Sequence, residues 1–160
     1  MKKAFISAAF LDAFNDFIAF FPFPVHLNHS FCRMLQTTGQ IFEMIRALAE
    51  KNQKKALNLY YDLLSLKEPP MRILFLIARQ FHQLLLVKSL AAKGYDRATI
   101  ASRAKIAPFV AGRCMAQAKS FTTERLKTAV QDCVQAEEDV KTGKIADTLS
   151  VELLILKYSK

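Results

Sequence analysis

From residue 37 onward, apolar positions recur every three to four residues, the spacing that places them on one face of an α-helix. Thr37 and Gln40 have the spacing of a capping box, which predicts that a first helix begins here and ends near Asn52. A second helix is predicted to stop before Pro69, because Pro69 and Pro70 are typical of a helix start and cannot lie in a helix interior. We expect these two helices to form an antiparallel hairpin.

The third predicted helix, residues 70–93, is apolar almost all round and ends at Gly94. Such a helix is expected at the centre of a domain. Projection at 100° per residue leaves a single polar stripe along it. The stripe comprises Arg72, Arg79 and Gln83, with His82, Ser89 and Lys93 beside them. A polar stripe on a buried helix must face solvent or a partner.

Capping and stop signals predict the remaining helices. Asp96 suits the N-cap of a short helix to residue 104, and Pro108 starts another that runs to residue 118. Thr122 caps a helix that Gly143 ends, and a last helix begins near Asp147. The last helix carries Leu149, Leu153 and Leu156. No segment reads as a strand, so the predicted fold class is all-α, a compact bundle of six to seven helices.

The first part of the chain has a different composition, since eight of the 13 phenylalanines fall at or before Phe31. Four of them recur at helical spacing, which predicts an amphipathic helix facing a core or a partner: Phe10, Phe14, Phe17 and Phe21. Lys2 and Lys3 before an apolar run imitate a secretory signal. Polar residues interrupt the run before it reaches the ~20 residues of a membrane span, so membrane contact or export remains only the alternative.

Pro22 and Pro24 predict a loop from residue 21 to residue 35. Composition then changes near Gly39, where charged residues become frequent. We therefore predict a Phe-rich leader, residues 1–39, followed by a helical domain, residues 40–160.

The chain has 160 residues, enough for one core but not for a second catalytic domain. Lys and Arg outnumber Asp and Glu by 23 to 14, and the resulting charge of +9 attracts phosphate backbones, acidic protein surfaces or anionic lipid without choosing among them. Cys32, Cys114 and Cys133 have no CxxC spacing, so neither a disulfide framework nor a four-ligand zinc site is predicted. Reduced thiols and a cytoplasmic location are expected.

Phosphate-loop and metal patterns are weak. The motif GxxxxGK[ST] does not occur, so we expect neither nucleotide hydrolysis nor a cofactor. His26, His29 and Cys32 are three residues apart, but they lie beside two prolines and need a further ligand or an open catalytic position. No metal site is predicted from them.

Catalytic patterns are weak too. Glu137, Glu138 and Asp139 point in different directions on a helix and are expected to form a solvated face. His82 has no nucleophile or carboxylate at helical spacing, so a packing or interface role is expected. Because nothing pairs a nucleophile with a base, no active site is predicted.

Residues 96–118 have the outline of a helix-turn-helix unit. Five cations in or next to it are candidate phosphate contacts: Arg97, Arg103, Lys105, Arg113 and Lys119. The second helix starts Pro108-Phe109-Val110-Ala111-Gly112 and offers almost no side chain that could hydrogen-bond a base edge. A helix pair used for packing is favoured over a sequence-specific reader, with non-specific phosphate attraction as an addition.

Several short segments between about residue 40 and residue 160 have a distinctive order and spacing. They are Ile41-Phe42, Ala56-Leu57, Tyr60-Tyr61-Asp62-Leu63-Leu64, Glu68-Pro69-Pro70, Ile77-Ala78-Arg79-Gln80-Phe81, Ile100-Ala101, Pro108-Phe109, Ala118-Lys119-Ser120-Phe121 and Asp139-Val140-Lys141-Thr142-Gly143. Through these segments the chain resembles the C-terminal, helical collar domain of the delta subunit of bacterial DNA polymerase III.

The resemblance implies a non-catalytic subunit of the clamp loader, the assembly that places the sliding clamp on DNA. Collar domains of that family associate into a ring, so contact with other loader subunits is expected. Six residues are the candidates for that contact: Arg72, Arg79, Gln80, His82, Lys141 and Lys144. Clamp binding belongs to the family's N-terminal domain, which residues 1–39 do not resemble, so it is not predicted here. A truncated gene, an upstream frame change or a misassigned start remain open as origins of the leader.

Two functional hypotheses follow. The first is an assembly module of the replication machinery without activity of its own. The second is an independent basic helical domain that binds nucleic acid non-specifically, with an affinity that falls steeply as salt is added.

Overall fold

The computed structural model describes residues 29–160, with side chains described from residue 36 onward. This part of the chain contains seven helices and no strand, and Leu35–Lys160 form one compact unit. The predicted all-α class is confirmed. The helices are α1 (His29–Ala49), α2 (Gln53–Ser65), α3 (Pro70–Ala92), α4 (Arg97–Arg103), α5 (Pro108–Ala118), α6 (Thr123–Lys141) and α7 (Asp147–Tyr158).

Helix α3 lies at the centre of the bundle, as predicted. It packs along α6 and α5 and also contacts α7 and α4. Among residues 29–160 it is the one helix long and apolar enough to cross a membrane, with a mean hydropathy of 1.3 in its most apolar window. Burial against four neighbouring helices accounts for part of that composition, since 44% of the window is buried.

Phe81, on α3, joins three elements of the core. Its ring meets the ring of Phe121 edge to face at 6.0 Å, and that of Tyr158 in a tilted arrangement at 5.6 Å. All three side chains are buried. Aromatic contacts therefore pack the start of α6 and the end of α7 against the middle of α3.

Most predicted helix ends are confirmed, since local capping determines them. The Asp96 carboxylate accepts from the backbone N–H groups of Ala98 and Thr99 at 3.2 and 3.3 Å, and the Thr122 hydroxyl accepts from Arg125 N–H at 3.1 Å. The C-terminal ends of α3 and α6 are followed by Gly94 (φ 79°) and Gly143 (φ 71°). These left-handed conformations favour glycine, which has no Cβ.

The predicted start of the first helix is wrong. Helix α1 begins at His29 and runs through Gly39, so Thr37 is an interior residue and not a cap. The predicted loop is likewise wrong for residues 29–35. No proline or glycine lies between His29 and Thr38 to stop a helix, whereas Pro22 and Pro24 lie well upstream.

The contacts between α1 and α2 fit the predicted antiparallel hairpin. Near the connection, Lys55 Nζ lies 3.8 Å from Glu43 Oε2. At the far end, the buried Thr37 hydroxyl donates to Glu68 Oε1 at 3.2 Å, just beyond the end of α2. Contacts at both ends of α2 require the two helices to run in opposite directions.

Several expectations fall on residues that the structure does not describe. The phenylalanine stripe from Phe10 to Phe21 lies outside the described residues, as do the side chains of His26, His29 and Cys32. The division into residues 1–39 and 40–160 stays a prediction.

Candidate interaction surfaces

The predicted polar stripe of α3 begins with an internal ion pair. Arg72 Nη1 lies 3.2 Å from Glu68 Oε2, and the Glu68 carboxylate is 4% exposed. The other Glu68 oxygen accepts from Thr37. A buried carboxylate needs such compensation, because desolvation disfavours its charge. Arg72 therefore stabilises the junction of α1, α2 and α3, whatever else it contacts.

Gln80 does not lie on the surface, contrary to expectation. It is 8% exposed, and its Nε2 donates to Gln117 Oε1 at 3.2 Å, with Cys114 Sγ at 3.9 Å. Gln117 Nε2 in turn donates to the Phe42 carbonyl at 3.0 Å. Gln80 belongs to a buried polar network that joins α3, α5 and α1, because helix α5 covers this side of α3.

The rest of the stripe is more open. Arg79, Ser89 and Lys93 are exposed, and His82 is half-buried. Burial lowers the pKa of His82 below its usual 6.5, so the imidazole is neutral at pH 7. Two of the predicted contact residues of α3, Arg72 and Arg79, are exposed and charged. Arg72 is paired with Glu68, whereas Arg79 has no ion pair to a described carboxylate.

Lys141 and Lys144 also carry intramolecular ion pairs. Lys141 Nζ lies 2.6 Å from Glu137 Oε1, and Lys144 Nζ lies 3.1 Å from Asp139 Oδ1. Hydrogen bonds from Lys144 and then Gln135 lower the pKa of Asp139. The acidic cluster at the end of α6 is therefore largely neutralised by the lysines that were predicted to contact a partner.

The candidate phosphate contacts of α4 and α5 have different partners. The guanidinium carbon of Arg103 lies 4.2 Å from the Tyr95 ring centroid, and that of Arg113 lies 4.2 Å from the Phe42 centroid. Arg97 Nε donates to the Pro108 carbonyl at 2.8 Å. These contacts orient the three guanidinium groups without neutralising them. Lys105 and Lys119 are exposed.

Phe109 stands out beside these cations. It is 64% exposed, the largest value among the big apolar side chains that the structure describes. Arg97 reaches the same turn through the Pro108 carbonyl, and Arg113 follows Phe109 by four residues and so lies on the same side of α5. The sequence does not predict that Phe109 is a surface residue, because its exposure depends on how α5 packs.

A second exposed apolar surface lies on α2 and α7. Tyr61, Leu149 and Leu153 are 46%, 46% and 48% exposed. The Tyr61 hydroxyl donates to Glu152 Oε1 at 3.1 Å, which holds α2 against α7. The leucine row that indicated the last helix is thus not the row that faces the core. The buried residues of α7 are Ser150, Val151, Leu154, Ile155 and Tyr158.

Metal-binding and thiol chemistry find little support in residues 29–160. No group of three or more His, Cys, Asp and Glu in the described part of the chain could hold a metal ion. Cys114 and Cys133 are buried free thiols, and burial raises the pKa of Cys133 to about 12. A thiol in that state remains protonated at neutral pH and is a poor nucleophile.

The fold and its surfaces define the class of protein. It is an all-helical domain whose described residues form one core, with exposed apolar side chains at Phe109 and on α2 and α7. Residues 38–158 match the family model of the DNA polymerase III delta subunit, C-terminal domain. The chain therefore belongs to the family of DNA polymerase III delta C-terminal domains.

A protein sequence and a solved structure, both from Bacillus subtilis, show the same likeness. The chain is 35% identical over 120 residues to DNA polymerase III subunit delta of strain 168, across 75% of this chain and 35% of that protein. The solved structure of the Bacillus subtilis DNA clamp loader delta protein superposes with a TM-score of 0.74 at 33% identity, covering 77% of this chain and 36% of the other. This chain spans about a third of the length of the proteins it matches.

Proposed function

We propose that this chain serves as an assembly domain of a bacterial clamp loader, holding a delta-type subunit against neighbouring subunits. Family membership supports the proposal, and the surface formed by Tyr61, Leu149 and Leu153 is the observation that carries it. Exposed apolar side chains that share one surface are typical of protein interfaces. We call this surface the α2–α7 patch.

Earlier contact candidates are retained in part. Arg79 remains a proposed contact, with the half-buried His82 beside it and Arg72 partly committed to Glu68. Lys141 and Lys144 remain weaker candidates because carboxylates already neutralise them. A charge reversal at Arg79 alone is a cleaner test than one that includes Arg72, since loss of Arg72 would leave Glu68 buried and unpaired.

Independent nucleic-acid binding is the less favoured function. Three of its five candidate cations are already engaged with rings or a backbone carbonyl. Phosphate attraction by Lys105 and Lys119 stays a prediction that filter binding across a salt series would check. The cytoplasmic location likewise stays a prediction.

The test is size-exclusion chromatography with light scattering of the full chain, alone and mixed with the ATPase and delta-prime subunits of the same organism's clamp loader. We expect a stoichiometric complex. The double substitution Leu149→Ser and Leu153→Ser should weaken it at least tenfold, because each exposed leucine loses the apolar burial that association supplies. Gln131→Ser, at an exposed position on α6, is the matched control and should leave the complex intact. A folded wild-type chain that forms no complex would refute the proposal.

A further inference from the structure

The region around Phe109 differs from the α2–α7 patch in chemistry. Phe109 is the second residue of α5, and Arg97 from α4 donates to the carbonyl of Pro108 just before it. The Arg97 guanidinium rests on Gly112, where an added Cβ would lie only 2.8 Å from Arg97 Cζ. Glycine at this position therefore lets the guanidinium approach the backbone of α5 closely, one turn after Pro108.

Arg113 borders the same exposed ring. It lies four residues after Phe109 and therefore on the same side of α5. Its guanidinium is stacked over Phe42 and not paired with a described carboxylate. The guanidinium groups of Arg97 and Arg113 are thus already restricted in position, so little of their side-chain entropy remains to be lost on binding.

The segment of the chain that carries this site is strongly basic. Residues 69–123 contain nine Lys and Arg and a single acidic residue, Asp96. Asp96 is occupied as the N-cap of α4, accepting from Ala98 and Thr99. This segment therefore contributes a strongly positive charge, which attracts an approaching anion.

We propose that Phe109, Arg97 and Arg113, here called the Phe109 face, form a docking site for an acidic surface of a partner protein. Aromatic and arginine side chains are the residue types enriched at interface hot spots, and the guanidinium fork suits carboxylates. The inference rests on the proposed assembly function and assigns the chemistry of one neighbour: carboxylates for the two arginines around an apolar recess for Phe109.

Nucleic acid fits this face less well. Single-stranded binding without sequence preference uses successive aromatic platforms along a cationic groove. Within α4 and α5, Phe109 is the one exposed aromatic ring, and the nearby Tyr95 ring is half-buried beneath Arg103. One exposed ring, with two guanidinium groups held in place on or against the same helix, matches a compact protein contact better than the extended track of a nucleic-acid strand.

The first experiment measures association of the full chain with the same loader subunits by biolayer interferometry. Phe109→Ser and Arg113→Glu are each expected to weaken binding at least tenfold. Lys127→Glu makes the same charge change on α6, at an exposed lysine already paired with Glu124, and should change binding less than twofold. If wild type binds and the two face variants bind equally well, the Phe109 face is refuted while the assembly function stands.

Gly112→Ala separates the position of Arg97 from its charge. The new methyl must push the guanidinium away from α5 while every cation is kept. We expect binding to weaken severalfold with circular dichroism unchanged. Unaltered binding would remove Arg97 from the site.

Two further arms distinguish other outcomes. A synthetic helical peptide of alternating Glu and Leu blocks should bind wild type and not Phe109→Ser, whether or not the loader subunits assemble. Absence of peptide binding by wild type would overturn the inference independently of the proposed function.

Fluorescence anisotropy with a labelled 20-nucleotide oligothymidine measures binding to nucleic acid. If the face variants lose oligonucleotide binding and keep subunit binding, the ligand is nucleic acid and the proposal is wrong.

Discussion

The α4–α5 region and the α6–α7 region position most of their cations in different ways. In residues 124–160, six Lys and Arg are matched by seven Asp and Glu. Four of these lysines lie within 3.1 Å of a carboxylate: Lys127, Lys141, Lys144 and Lys157. In α4 and α5, guanidinium groups instead meet aromatic rings and a backbone carbonyl. Arg125 of α6 is an exception in its region, because it donates to the Tyr158 carbonyl at 2.7 Å.

The two regions thus differ in whether carboxylates of the domain neutralise the cations. In the first region the cations are held in position but keep their charge. A salt bridge offsets the field of its cation, whereas a ring or a carbonyl orients the cation and leaves most of its charge. Lys141 and Lys144 were predicted to contact partners, but they belong to residues 124–160, here called the neutralised region. Most of the net charge of +9 thus falls in residues 69–123, the segment that includes Phe109.

The strongest test of this comparison asks whether the two regions belong to one cooperative unit. Phe81→Ala removes the fully buried ring that contacts Phe121 and Tyr158, and we expect it to lower the free energy of unfolding by about 4 kcal/mol. Urea denaturation followed by circular dichroism would measure it. A single transition with an unchanged slope is expected. Two separate transitions would show that the regions unfold independently.

The second test breaks the neutralised region alone. The Asp132 carboxylate accepts from the Tyr158 hydroxyl and lies 2.7 Å from Lys157 Nζ. Burial, together with this hydrogen bond, raises the pKa of Tyr158, so the phenol stays a donor. Asp132→Ala should cost about 2 kcal/mol, because a largely buried hydroxyl loses its acceptor.

Lys157→Ala is the control for that substitution. Its ammonium group is mostly exposed, and removing it should cost about 0.5 kcal/mol. Thermal unfolding of both variants would compare them. Equal costs would mean that the ion pair, and not the buried phenol, determines the stability of the α6–α7 region.

Local signals explain what the sequence could predict. Proline at residues 69, 70 and 108, the caps Asp96 and Thr122, and glycine at residues 94 and 143 act within a few residues, so the helices from α2 to α7 were placed well. The start of α1 was missed because Thr37 imitates a cap, while its actual partner, Glu68, lies 31 residues away. A contact of that range leaves no local pattern.

The candidate surfaces were less predictable for the same reason. The sequence identified the cations of α4 and α5 but not the rings that orient them, which come partly from α1. Gln80 lies beside exposed residues in sequence, yet Gln117 on α5 makes it a buried residue. Likewise, Leu149 and Leu153 have core-like spacing, and only the packing of α7 on α3 and α2 shows that they face outward.

The smallest expected effect concerns the helix end next to the Phe109 face. Lys105 has φ 51°, and it ends α4 in the same way that Gly143 ends α6: Ile106 N–H donates to the Ala101 carbonyl at 3.0 Å, as Lys144 N–H donates to Asp139 at 2.9 Å. A residue with a Cβ is strained in that conformation. Lys105→Gly should therefore stabilise the fold by about 0.5–1 kcal/mol.

Lys105→Ala provides the control, since alanine keeps the Cβ and removes only the charge. It should not raise the melting temperature, and if both variants stabilised equally, charge repulsion and not backbone strain would be the cause. Both should weaken binding of the acidic peptide probe. Lys105 would then contribute its charge to the cationic surface at a cost in stability. The corresponding position of the neutralised region is Gly143, where the residue is the one that favours stability.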